Sequence, residues 1–106
     1  MVTETHLKIL KYIESNPQIS QRKLAEELGV SVGKVNYCVK ALIEKGMVKA
    51  SNFKRNANKV GYLYLLTPKG IEEKASLTVS FLKRKIVEHE KITREIAQLK
   101  RDAGTK

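Results

Sequence analysis

Apolar positions in this chain recur mostly at helical steps, with one alternating stretch in the middle, and together they predict four helices and a hairpin. In the first helix, Thr3 to Asn16, Leu7, Leu10 and Ile13, helped by Ile9, make one inner side. Thr3 stands where a cap belongs, and Asn16-Pro17 ends the run. Gln18-Ile19 is long enough only for an extended link, with Ile19 free to pair as a short edge strand. Ser20 opens a second helix, QRKLAEELG, whose compact face is Leu24, Ala25 and Leu28. Gly29 supplies a left-handed exit, and Val30 is expected as a buried plug in the turn.

The third helix, Ser31 to Gly46, begins at once. Ser31 can accept from the first free amides, and Val35, Val39 and Leu42 follow at steps of four and three. Lys34, Asn36, Tyr37 and Lys40 then point away from the core, with Glu44 only in the last turn. A face of amide, phenol and ammonium groups suits the major groove of a nucleic-acid duplex, where donors must meet base edges amid dense phosphate charge. Helix, glycine-containing turn and helix in this order is the helix-turn-helix pattern.

After Gly46, Met47, Val48, Ala50 and Phe53 predict a strand, Lys54 to Gly61 a polar turn, and Tyr62 to Leu66 the returning strand. A hairpin directly after a reading-type helix is the wing of a winged helix, its basic tip free to lie along phosphates or an adjacent minor groove. Thr67-Pro68 then starts a last helix without an internal breaker to about Arg101. At roughly thirty-four residues it would be about 50 Å long, more than a core this small can cover. Along it Ala75, Val79, Leu82, Ile86, His89, Thr93 and Ile96 alternate at steps of four and three, with Ile92 and Leu99 widening the stripe. The stripe resembles the seam of a helix pair, and a second copy is the simplest partner. The rival is a broken helix folding back over Leu7, Ile13 and the wing. The expected division is therefore residues 1–66, a winged helix-turn-helix, and residues 67–106, a long dimerisation helix; the fold class is mainly α with a small β-hairpin.

Charge sharpens the choice of partner. The chain has 106 residues, 42% of them apolar, and a formal net charge of +10. Between residues 31 and 61, Lys34, Lys40, Lys45, Lys49, Lys54, Arg55 and Lys59 face the single acid Glu44. This concentration points to a polyanion, and its placement on a helix and hairpin favours double-stranded DNA over an anionic membrane. The candidate DNA-binding residues are Ser31, Lys34, Asn36, Tyr37, Lys40, Lys54, Arg55 and Lys59; the candidate dimerisation residues are Val79, Leu82, Ile86, His89, Thr93 and Ile96. A winged helix serving only to assemble proteins, its basic face on an acidic partner, is the alternative.

Other chemistry finds little material. His6 and His89 lie on different helices, Cys38 is far from both, and Asp102 is the single aspartate. No catalytic, metal or cofactor site is expected, and nothing specifies a small-molecule effector. Cys38 is expected as a core residue, with a redox role as the lesser reading; His89 in the seam would make pairing pH-sensitive if it titrates there. A two-stranded wing rarely exposes Tyr62 and Tyr64 together as a platform for single strands. One cysteine, no leader-like N-terminus and no membrane-length apolar run lead to a reducing cytoplasm as the expected location.

The phrase ISQRKLAEELGVSVGKVNYCVKALIEKGMVKA, followed by the hairpin and LTPKGIEEKA, resembles the winged-helix core of the MarR family across roughly residues 7 to 100. Within it, NYCVKALIEKG and GYLYLLTPKGIEEKA look most similar to small bacterial regulators linked to exopolysaccharide gene clusters. The resemblance implies a homodimeric transcription factor that reads duplex DNA with Lys34, Asn36, Tyr37 and Lys40 and lays the wing, Lys54 to Lys59, alongside. Arg55 is followed by Asn56 and no aspartate, a departure from the arginine–aspartate pattern of many family wings.

Overall fold

The computed structural model describes residues 2–56 and 59–104, and for residues 53–56, 59, 60 and 62 the backbone alone. The elements are α1 (Glu4–Ser15), α2 (Gln21–Leu28), α3 (Val32–Glu44), β1 (Val48–Asn56), β2 (Lys59–Leu66) and α4 (Pro68–Asp102), a mainly helical fold with one small antiparallel hairpin. The chain divides into two compact units, Met1–Ser76 and Leu77–Lys106.

In the first unit each helix starts where a short polar side chain can take the orphan amides. Thr3, Ser20 and Ser31 are the N-caps of α1, α2 and α3, the two serines accepting from Lys23 N and Lys34 N at 3.0 Å. Each such cap contributes about 1 kcal/mol. α1 adds a reciprocal bond in which Thr3 N donates to His6 Nδ1 at 3.0 Å. Gly29 closes α2 at φ +67 and Gly46 follows α3 at φ +74, where a side chain would be strained.

The core is built mostly from the predicted faces, although Leu28 of α2 is only half-buried. Leu7, Ile9, Leu10 and Ile13 of α1 meet Leu24 and Ala25 of α2 and Val35, Cys38, Val39 and Leu42 of α3, all buried. Met47, Val48 and Tyr64 add the hairpin's contribution. Val30, expected as a buried plug, is half-buried.

Two differences concern the hairpin. The strands reach farther into the basic segment than an eight-residue turn allows: Lys54 pairs with Val60 and Asn56 with Lys59, and a register shift leaves Arg55 as the extra residue of a bulge. Backbone pairing explains this, because a two-stranded ribbon satisfies its amides whatever the polarity of its side chains. Residues 57 and 58 lie outside the described residues. Ile19 is buried but forms no strand; instead the Pro17 carbonyl accepts from Tyr64 N at 2.9 Å. Proline has no amide to return, so the ladder stops at that bond.

α4 begins as its sequence predicts, with Pro68 in the first turn and the Thr67 hydroxyl accepting from Gly70 N at 3.0 Å. Lys74 Nζ reaches Glu14 Oε1 at 2.8 Å. The helix is continuous to Asp102, so the broken-helix rival is not what the chain forms. In the second unit Val79, Leu82, Ile86, Ile92, Ile96 and Leu99 form an apolar stripe on the helix, each about half exposed or more. His89 and Thr93 are exposed on the same helix, and the Thr93 hydroxyl donates to the His89 carbonyl at 2.8 Å.

Candidate nucleic-acid interface

The outward side of α3 follows from its inward side. With Val35, Cys38, Val39 and Leu42 buried, the 3.6-residue period turns Gly33, Lys34, Tyr37 and Lys40 to solvent. Tyr37 is 73% exposed, far beyond what a ring kept for packing would show. A β-carbon on Gly33 would meet only Ser31 Oγ, at 3.9 Å, so nothing inside the chain requires glycine there. Its absent side chain leaves the first turn of α3 bare, and another molecule can approach the backbone closely.

Asn36 is placed differently from its neighbours. It is half-buried, and its Nδ2 donates to Gln21 Oε1 at 3.2 Å. Gln21 Nε2 in turn donates to the Tyr64 hydroxyl at 3.2 Å. Three elements are thereby joined at the rim of a groove of about 550 Å³ between α2, α3 and the hairpin, whose lining also includes Lys40 and Ile43. Neither Gln21 nor Tyr64 was among the expected site residues. A glutamine is unremarkable in a helical pattern, and Tyr64 is a strand residue in any reading of its segment.

The remaining candidates are accounted for in part. Ser31 spends its acceptor on the Lys34 amide as a cap. Lys34 and Lys40 are exposed. Lys54 and Arg55 sit on β1 and Lys59 on β2; the side chains of these three lie outside the described residues.

Two buried titratable groups lie in the same unit. Burial pushes the Cys38 thiol up from its ordinary value, against a smaller opposing pull from Lys34. A raised thiol holds less thiolate, the form that oxidises, which fits Cys38 as a core residue. His6 is held below its ordinary value, by burial first and then by the positive charges of the amino terminus, Lys45 and Lys34. Among the described residues, no three His, Cys, Asp or Glu side chains gather as a metal cage, and no helix is long and apolar enough to cross a membrane.

Comparison with known proteins bears on this arrangement. Residues 2–49 match a family described as winged helix-turn-helix DNA-binding. The ligand-bound PcaV transcriptional regulator of Streptomyces coelicolor superposes with a TM-score of 0.71 at 17% identity, over 97% of this chain and 77% of that one. MepR of S. aureus, in a complex with DNA, gives 0.65 at 17% identity, over 97% and 78%. The chain therefore shares the winged helix-turn-helix fold of these two regulators. Among curated proteins, two archaeal HTH-type transcriptional regulators are similar over 62 residues: one from Pyrococcus abyssi, 34% identical, and Ptr1 of Methanocaldococcus jannaschii, 36% identical. The matched stretch is 58% of this chain and spans 42% of the length of each relative.

Proposed function

We propose that the chain is a sequence-specific reader of double-stranded DNA that acts as a homodimeric transcriptional regulator. α3 enters the major groove, and the hairpin lies along the flanking backbone or minor groove. The observation that carries the reading is the bare outward stripe of α3, where Gly33, Lys34, Tyr37 and Lys40 are exposed side by side on a helix braced by the rest of the unit. Glycine admits a close approach, lysine meets phosphate or guanine, and an exposed ring offers both a hydroxyl and an apolar edge. The match of residues 2–49 to a DNA-binding family and the likeness in fold to MepR, itself seen with DNA, support the same reading.

Residues 67–106 serve as the dimerisation element in this proposal. The half-exposed stripe from Val79 to Ile96 is covered by the same stripe of a second copy, with His89 and Thr93 as polar positions in the seam. Two reading helices then address two half-sites, so the site is expected to be palindromic. Control of exopolysaccharide genes is the finest part of the proposal and is supported by the sequence resemblance alone; a cytoplasmic location follows from acting on DNA.

The test is fluorescence anisotropy with duplexes recovered from a randomised pool, at several salt concentrations. Each phosphate contact should contribute roughly 0.9 to the slope of log affinity against log salt, giving a steep fall for a dimer with several lysines per copy. Affinity that does not change as salt is raised severalfold, or recovery of no duplex, would overturn the reading in favour of a protein-assembly module.

A further inference from the structure

We infer that Gln21, which lies on α2 outside the reading helix, is a positioning residue that fixes the orientation of the Asn36 amide and thereby selects adenine at one base pair. The inference rests on the DNA-binding reading and deepens it. A primary amide offers two N–H donors and a carbonyl, and a freely turning asparagine presents either end to a base edge. Asn36 is not free to turn. One of its N–H groups is spent on Gln21 Oε1 at 3.2 Å, and Gln21 is held from behind because its Nε2 donates to the Tyr64 hydroxyl at 3.2 Å.

The far end of this chain of bonds is fixed. Tyr64 is 3% exposed, and its backbone amide donates to the Pro17 carbonyl at 2.9 Å. Gln21 is the first residue of α2, directly after the Ser20 cap, so its backbone is anchored as well. That bond leaves Asn36 one N–H and the carbonyl oxygen for another partner. Adenine offers the complementary pair in the major groove, an N7 acceptor beside an N6 amino donor. Holding the amide in advance spares the ordering that a mobile side chain undergoes on contact, so discrimination is sharpened by a residue that touches no base. If the bonds ran the other way, from phenol to Gln21 Oε1 and from Gln21 Nε2 to Asn36 Oδ1, donor and acceptor would exchange places at the groove.

Two substitutions separate these possibilities. Gln21→Glu keeps an acceptor for the Asn36 N–H and can only accept, so it holds the amide in the inferred orientation. Gln21→Leu keeps the bulk and removes the acceptor. Each is titrated on the selected duplex and on its single-base variants, in the wild-type and Asn36→Ala backgrounds, with helical content checked by circular dichroism. Gln21→Glu should weaken binding to all duplexes through its added negative charge and retain the adenine preference. Gln21→Leu should reduce that preference at one base pair by about fivefold or more, within the discrimination of one bidentate contact, and should change no preference when Asn36 is already alanine. An unchanged preference in Gln21→Leu, an equal loss in Gln21→Glu, or a loss that persists in the Asn36→Ala background would overturn the inference while duplex binding itself stands. A wild-type chain that binds no duplex would instead remove the reading on which it rests.

Discussion

Gly70 lies so close to Met47 that a β-carbon at residue 70 would stand 2.9 Å from the Met47 carbonyl carbon and nearer still to its oxygen. The approach draws the start of α4 onto three successive carbonyls behind α3. Lys69 Nζ donates to Lys45 O at 2.8 Å, the Thr67 hydroxyl to Gly46 O at 2.5 Å, and Thr67 N to Met47 O at 3.1 Å. These carbonyls follow the last turn of α3, and the start of α4 gives them donors. Backbone against backbone leaves no flexible side chain to yield, so Gly70→Ala must separate the two segments. We expect a loss of about 1 to 3 kcal/mol, the usual cost of overpacking, measured by urea unfolding. Stability equal to that of the wild type would show that the contact relaxes freely.

The His6 shift predicts a pH dependence of stability. His6 titrates lower in the folded chain than its ordinary 6.5, so on acidification the unfolded chain takes up the proton first. The stabilising contribution is therefore complete above the unfolded value and is lost as pH falls through the folded one. Protonation also removes the Nδ1 acceptor that Thr3 N uses. His6→Gln keeps an acceptor at the third position of the helix, as an ordinary capping box does, and cannot titrate. Comparing melting temperatures between about pH 7.5 and pH 5, the wild type should lose more than His6→Gln. Parallel curves would assign the acid loss to other groups.

These two contacts also show where sequence was informative. Thr3 and Ser31 could be placed as caps, and Ser20 and Thr67-Pro68 as helix starts, because these signals are local, and most of the buried faces of α1 to α3 followed from periodicity. His6 was not foreseen as the reciprocal partner of Thr3, since glutamate or glutamine usually fills that place. The Gln21, Asn36 and Tyr64 bonds join residues 15 and 43 positions apart, and nothing in a helical or alternating pattern says which polar groups will meet across elements. For Asn36 the period gave only a direction, and direction alone does not tell solvent from a neighbouring helix: the residue is half-buried against Gln21.

The apolar stripe of α4 yields a prediction about assembly. Leu82→Glu with Ile86→Glu would place two new carboxylates per chain in the middle of the proposed seam, where pairing cannot offset their desolvation. Both positions are about half exposed in the single chain, so the substitutions cost the isolated fold little. Sedimentation at chain concentrations on the order of tens of micromolar should show a wild-type dimer and a folded, monomeric double mutant. A monomeric wild type, or a double mutant that still dimerises, would place any association elsewhere.

The reading helix and the hairpin should contribute different kinds of energy. Tyr37 is 73% exposed and one turn from both Gly33 and Lys40, so its ring and hydroxyl sit where base edges would pass in the proposed complex. Lys59 is carried on β2 opposite Asn56, next to the bulge at Arg55, and a lysine there offers a flexible point charge suited to phosphate rather than to one base. Tyr37→Ala should therefore cost affinity mainly on the selected duplex, compressing the gap between it and scrambled DNA and leaving the salt slope nearly unchanged. Lys59→Ala should weaken selected and scrambled duplexes alike and lower the slope by about one unit per contact removed. Titrating both variants on both duplexes at several salt concentrations gives the two quantities independently. If Tyr37→Ala lowered the slope and spared discrimination while Lys59→Ala changed base preference, the hairpin would be the reader and α3 the anchor.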